Sequence, residues 1–255
     1  MKRFLQISLF SIYIFFLPSN LMAVSMMIEA DKAYDKAYET RNTVEYRKAI
    51  QLYKKIAEAN PMSYEAQWKY SRVLQAYGYQ LQASQIDENS LSKIIGLAKI
   101  GMRSGQKSIE INPNGVEGYY YYSSSLGLYS DRVSVITAII EGLKNKAQNA
   151  LERAYELDKT YDHAGPIQSL ARFWAVLPWP LRDTEKALKL YREYIKINNQ
   201  FYERESGPIM FAELLISLGG DKNIAEAKSM LQTVLKITKE KFYQDWGKRL
   251  IEEIG

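Results

Sequence analysis

Three observations predict an all-α chain, folded as a stack of antiparallel helix pairs. One phrase returns about every forty to fifty residues: Tyr46–Pro61, Lys146–Asp158, Thr184–Asn198 and Asn223–Ile237. In each, a small residue is followed four positions later by a larger apolar or aromatic one, and an apolar stripe continues at helical spacing. The 7 prolines and 14 glycines are few for 255 residues, which favours long helices joined by short turns. No segment shows the alternation of a strand. Repetition at this period marks a stack of helix pairs rather than a closed globule with one pocket.

The first residues stand apart. Lys2 and Arg3 precede an apolar run from Phe4 to Leu17, broken by Pro18, Ser19 and Asn20 and followed by Leu21-Met22-Ala23. That order is a secretory signal peptide, residues 1–23, with cleavage after Ala23. A bilayer span needs about 20 apolar residues. This run is shorter and carries Gln6, Ser8 and Ser11, so an uncleaved anchor is the weaker reading. No later run is long enough to span. Val133 to Leu143 is apolar but contains Glu141, and it reads as a buried helix. The expected location is periplasmic or secreted, with residues 24–238 forming the repeat domain and 239–255 a capping helix.

The elements follow in order. Ala30, Ala33, Tyr34, Ala37 and Tyr38 place a first helix over Ala30–Thr40, paired with Val44–Asn60, which Pro61 closes. A helix starts after Ser63 and ends at Gly78. Tyr79–Ser92 is mostly polar and reads as a partly helical insertion. Ile94–Ile111 is a helix despite Gly96, Gly101 and Gly105; such residues lower its own propensity but let a neighbouring backbone approach. Val116–Leu128 carries Tyr119-Tyr120-Tyr121-Tyr122, which must point all round a helix. Ser130–Ala154 reads as one long or slightly broken helix. Gly165-Pro166 opens the next, because proline is tolerated in a first helical turn, and Leu177–Leu181 ends it. Thr184–Asn198 is its partner. Pro208–Leu218 and Ile224–Ile237 form the last pair, divided by Gly219-Gly220. Lys239–Ile254 is a charged amphipathic cap.

Composition excludes several classes. The formal net charge is +5, and loss of Lys2 and Arg3 with the leader lowers it by two, to +3. That is weak for nucleic acid, and no basic run interleaved with aromatics offers a phosphate stripe. There is no cysteine, so disulfides, thiolate chemistry, cysteine-held metals and a lipid-modified cysteine are excluded. His163 is the one histidine, too few for a multi-histidine metal site. Ser90-Leu-Ser-Lys93 matches an acyltransfer pattern but lacks its companion motifs. Asp162-His163 reads as a turn before a helix. Asp31, Asp35 and Glu39 read as a solvated face. No cofactor and no catalysis are expected.

These residues resemble the tetratricopeptide-repeat family. Ala49, Tyr53 and Pro61 keep that family's spacing of small residue, aromatic and closing proline. Ala187 with Tyr191, Ala147 with Leu151, and Ala227 with Leu231 fit in part, and Gly101 with Pro113 keeps the longer spacing. A narrower likeness joins Ile109–Asn114, Tyr155–Tyr161 and Ala171–Trp174 to the T-component associated with tripartite ATP-independent periplasmic (TRAP) transporters. That group consists mostly of lipoproteins, and this chain lacks the cysteine. The broader resemblance implies a right-handed superhelix in which the first helix of each pair lines a concave groove. Trp68, Arg72, Tyr120, Tyr121, Arg172 and Trp179 are the residues expected there, and an aromatic and arginine surface suits a peptide or partner helix. The expected function is an exported scaffold binding a protein or peptide. The alternative is a small-ligand accessory of a TRAP-type system, with a periplasmic solute-binding protein as partner. No nucleic acid, no metal and no stable membrane span after cleavage are expected; a homo-oligomer stays open.

Overall fold

The structure is a computed structural model that describes residues 22–84, 88–198, 201–202 and 205–255. The expected leader, apart from Met22 and Ala23, lies outside the described residues. Helices follow one another as α1 (residues 22–40), α2 (Thr43–Ala59), α3 (Tyr64–Ala83), α4 (Glu88–Ile111), α5 (Val116–Ser130) and α6 (Val135–Ile140). Then come α7 (Leu143–Asp158), α8 (Tyr161–Val176), α9 (Thr184–Ile197), α10 (Ser206–Leu218), α11 (Asp221–Ile237) and α12 (Lys241–Glu253). The described residues hold no strand.

The pairs are α1/α2, α3/α4, α5/α7, α8/α9 and α10/α11, with α12 packed on the last pair. First helices also touch one another in series, α3 on α5, α5 on α8, α8 on α10 and α10 on α12. They therefore share one face of the stack. Local chemistry starts the helices where the sequence requires. Asn42 accepts the Val44 amide at 2.8 Å, Ser63 the Ala66 amide at 3.2 Å, and Asp183 the Lys186 amide at 2.9 Å, each satisfying an orphan donor of the first turn. Ala49, Ala187 and Ala227 are fully buried at helix crossings, and Ala147 nearly so.

Several boundaries differ from expectation. The first helix is already formed at residue 22, the first residue described, two turns before the expected Ala30. Gly78 does not end α3; it lies under the Leu128 side chain, where a Cβ would collide. Of the expected insertion Tyr79–Ser92, the described residues belong to the end of α3 and the start of α4, and 85–87 lie outside them. The stretch Ser130–Ala154, expected as one long or slightly broken helix, is broken twice: Ser130 ends α5 before a turn, and Gly142, with φ 63, separates α6 from α7. Most importantly, α6 is not buried: none of its residues is in the core. The chain enters α8 through Asp162, His163 and Ala164, all left-handed with φ 48, 58 and 61. That conformation costs about 1–2 kcal/mol per non-glycine residue. Regular right-handed helix then resumes at Gly165-Pro166, as expected.

Candidate partner-binding face

Four successive first helices contribute to one cluster. Trp68 and Arg72 lie one helical turn apart on α3, so they face the same way. The Trp68 ring stacks on Tyr121 of α5, with centroids 5.7 Å apart and planes inclined by 10°. The Arg72 guanidinium lies over Tyr34 of α1 at 4.0 Å and over Trp68 at 5.2 Å. Tyr161, at the start of α8, donates its hydroxyl to the Tyr121 hydroxyl at 3.2 Å. Tyr120 packs edge-on between Tyr121 and Tyr161, at 5.1 and 5.5 Å.

The floor is an ion-pair network. Asp31 of α1 accepts from Lys69 at 2.7 Å and from the Tyr53 hydroxyl at 2.5 Å, and Arg72 reaches it at 3.5 Å. Arg72 also donates to the Tyr53 hydroxyl at 3.1 Å. Asp31 therefore does not belong to a solvated acidic stripe, as its spacing with Asp35 and Glu39 suggested; the latter two are exposed. Burial pushes the Tyr161 hydroxyl up to about 12 and those of Tyr121 and Tyr34 further still. The phenols of this cluster are thus neutral hydrogen-bonding groups across physiological pH.

A second cluster lies further along the same face. Arg172 of α8 pairs with Glu213 of α10 and sits 5.8 Å from the Trp246 ring of α12. Tyr79 is 40% open to solvent and donates its hydroxyl to the Ser124 carbonyl of α5 at 3.3 Å. Arg41, at the end of α1, reaches Glu240, just before α12, at 3.4 Å, so the first and last helices meet. Arg72 Nε, Arg132 Nε and Nη2 and Trp246 Nε1 are buried donors with no acceptor among the described residues. A group of this kind carries a penalty of about 1–3 kcal/mol.

Of the six residues expected in the groove, the structure gathers Trp68, Arg72 and Tyr121, with Tyr120 buried against them. Arg172 lies in the second cluster. Trp179 joins neither: it is 89% exposed in the turn between α8 and α9, which the Leu181 amide closes on the Pro178 carbonyl at 2.8 Å. The sequence reading missed Tyr34, Asp31 and Tyr161. The signal for the first two was present, because Asp31, Tyr34 and Tyr38 recur along one face of α1. Among the described residues no three metal-ligating side chains come together.

Comparison with solved structures agrees with this geometry. The chain is similar to a thermophilic TPR protein of Thermus thermophilus, at TM-score 0.60 and 17% identity, over 88% of this chain and 97% of that one. The fold is that of a tetratricopeptide-repeat solenoid. Weaker likenesses are to MamA, at TM-score 0.48 and 19% identity over 84% of this chain and 90% of that one. Another is to YrrB, described as a TPR protein with an unusual peptide-binding site, at TM-score 0.45 and 13% identity over 85% and 90%. No family model and no curated protein matches the chain. In this TPR-like solenoid, the two clusters lie on the face formed by the first helix of each repeat.

Proposed function

We propose that the protein is an exported, non-catalytic scaffold that holds an extended polypeptide or a partner helix against the inner face of its TPR-like solenoid. The observation that carries this reading is the stack Tyr34–Arg72–Trp68–Tyr121–Tyr161, contributed by four successive first helices. Aromatic and arginine side chains are the groups that most often anchor protein interfaces. Export rests on residues 1–23 alone. The T-component reading, with a small ligand and a periplasmic solute-binding protein as partner, rests on the sequence stretches that resemble that group.

Trp68→Ala tests the reading. It removes the ring over which Arg72 and Tyr121 are arranged while leaving Asp31 with both cations. Peptides captured from a random library by the wild-type protein should bind the variant at least tenfold more weakly, since about 1.4 kcal/mol is a factor of ten. Circular dichroism checks that the helices persist. Equal affinity in a folded variant would move the site off this cluster.

A further inference from the structure

The inner-face cluster is covered by its own members. Tyr121, on which Trp68 stacks, is 5% exposed, and Tyr120 is 9% exposed. Tyr161 closes over both. Its ring meets Tyr121 edge-on at 6.2 Å and Tyr120 edge-on at 5.5 Å, and its hydroxyl bonds to that of Tyr121 at 3.2 Å. A partner that is to touch the Tyr121 ring must first displace a neighbour. Trp68 is fixed within α3 and carries the Arg72 guanidinium on its ring. Tyr161 stands at the very start of α8, on a different kind of backbone.

That backbone is strained. Among the described residues the non-glycine positions with positive φ are Arg41, Asp162, His163 and Ala164. Three of the four are consecutive, and they follow Tyr161 directly. They make one left-handed turn, which the Ala164 amide closes on the Thr160 carbonyl at 3.1 Å. Left-handed backbone crowds each Cβ against the next carbonyl oxygen. Aspartate and histidine are found there more often than most residues; alanine is not. Strain of this kind persists only where the surroundings over-determine it. Three contacts do so. Asp158 accepts from the Thr160 amide at 2.9 Å and from its hydroxyl at 2.7 Å. Gly165 seats its backbone on Tyr120, where a Cβ would lie 2.3 Å from the hydroxyl. Tyr161 rests on Tyr121. Of these, the Tyr161 contact is the one that a partner on the Tyr121 ring would replace.

We propose that Tyr161 is a strain-loaded lid on the inner face, which swings off Tyr121 as residues 162–164 relax towards right-handed backbone. The proposal rests on the reading of that face as the binding site. Strain in the turn opposes the contacts that hold the lid shut, so open and closed states lie near enough for a partner to select the open one. Only the open fraction binds, and apparent affinity falls in proportion to it.

His163 is exposed at the middle of the turn, so changes there act on the backbone and leave the cluster intact. His163→Gly removes a steric cost and should lower the open fraction about fivefold. His163→Val adds a β-branched side chain, which left-handed backbone disfavours, and should raise it about fivefold. A fluorotyrosine placed at position 161 of the full chain reads the open fraction from its ring resonance, and circular dichroism checks the fold. Affinity for library peptides that bind wild type should follow, weaker in His163→Gly and tighter in His163→Val. Tyr161→Ala has no lid; it should bind at least as tightly as wild type and should not respond to His163→Gly. If Tyr161 is instead a fixed anchor, the signs reverse, with His163→Val and Tyr161→Ala the weak binders, and the proposal is overturned. An open fraction that is equal in wild type, His163→Gly and His163→Val overturns it too. If Trp68→Ala binds as wild type does, the binding-site reading fails, and the fluorine resonance then decides the lid by itself.

Discussion

The two halves of the solenoid pack neighbouring helices by different means. Between α3, α4 and α5 the contacts are nearly backbone on backbone. A Cβ on Gly105 would sit 2.8 Å from the Tyr122 Cα. Ser71 donates across the junction to the Gly101 carbonyl, and Ser104 to the Gln67 carbonyl, each at 2.9 Å. Between α9 and α10 the contacts are ring on ring, with Tyr191 stacked on Phe211 at 5.0 Å and Tyr194 against Phe201 at 5.6 Å. Close backbones leave no room for large rings at these two junctions, so Trp68 and Tyr121 gather on the shared inner face, while Tyr46, Tyr53 and Tyr77 fill the core among α1, α2 and α3. The carboxy-terminal half spends its rings on the core. The two arginines that the sequence places at matching points follow this division. Arg72 is enclosed by rings at 17% side-chain exposure, and Arg172 is a half-open ion pair at 31%.

That difference makes Arg72→Ala the largest expected effect. It takes the cation from between Tyr34 and Trp68 and leaves Asp31 and Tyr53 to Lys69. Removing one member of a buried ionic network costs about 3 kcal/mol. Arg172→Ala breaks a partly solvated pair and should cost no more than about 1 kcal/mol. Urea denaturation of both variants measures the gap, and equal losses would erase the distinction between the halves. It also follows that Arg72 is a poor choice for separating binding from folding, whereas Arg172 and Trp68 are good ones.

Next in size is the backbone contact itself. Gly105→Ala forces α4 and α5 apart and should cost about 1–3 kcal/mol, as overpacking does. Gly96→Ala, on the same helix, meets nothing within 4 Å and should stabilise by up to about 1 kcal/mol through helix propensity. Gly207→Ala in the other half meets only the Tyr194 ring, at 2.9 Å, which can shift; its loss should fall below that of Gly105→Ala. Thermal melts of the three variants give the order, and a neutral Gly105→Ala would mean the junction is looser than its geometry.

The repeat architecture was legible because its signal is redundant. Ala49, Ala187 and Ala227 recur with their partners at fixed spacing, and each is fully buried. Part of the inner-face cluster was legible for the same reason, since Trp68 and Arg72 share a helix face. The rest depends on which helix lies opposite. Asp31 looks like a surface acid until Lys69 and Arg72 arrive from α3, and Tyr161 joins the cluster only through the left-handed turn at 162–164, which no local pattern announces. Helix α6 misled because apolar periodicity reports that a stripe exists and not which way it faces. Its stripe is ordinary in sequence, and only the packing of Ala138 turns it outward.

The smallest expected effect sharpens the comparison on the outer side of the ring-on-ring half. Arg192 of α9 forks both carboxylate oxygens of Glu226 on α11, one of them at 2.6 Å, and its guanidinium lies 4.9 Å from the Phe211 ring. The hydrogen bond from Arg192 holds the Glu226 carboxyl below its usual range. A carboxylate depressed in the folded state stabilises the fold above its unfolded pKa, about 4.3, and that contribution is lost as pH falls through the folded value. The Arg192 side chain is 42% exposed, so solvent screening limits the effect to a few tenths of a kcal/mol, up to about 1. Glu226→Gln should therefore be less stable than wild type at pH 7, and the two should converge as the pH falls through the folded-state value of Glu226. Urea midpoints from pH 7 to pH 2.5 measure this. A gap that persists at the acid end would mean that Glu226 acts through packing on α9 rather than through its charge.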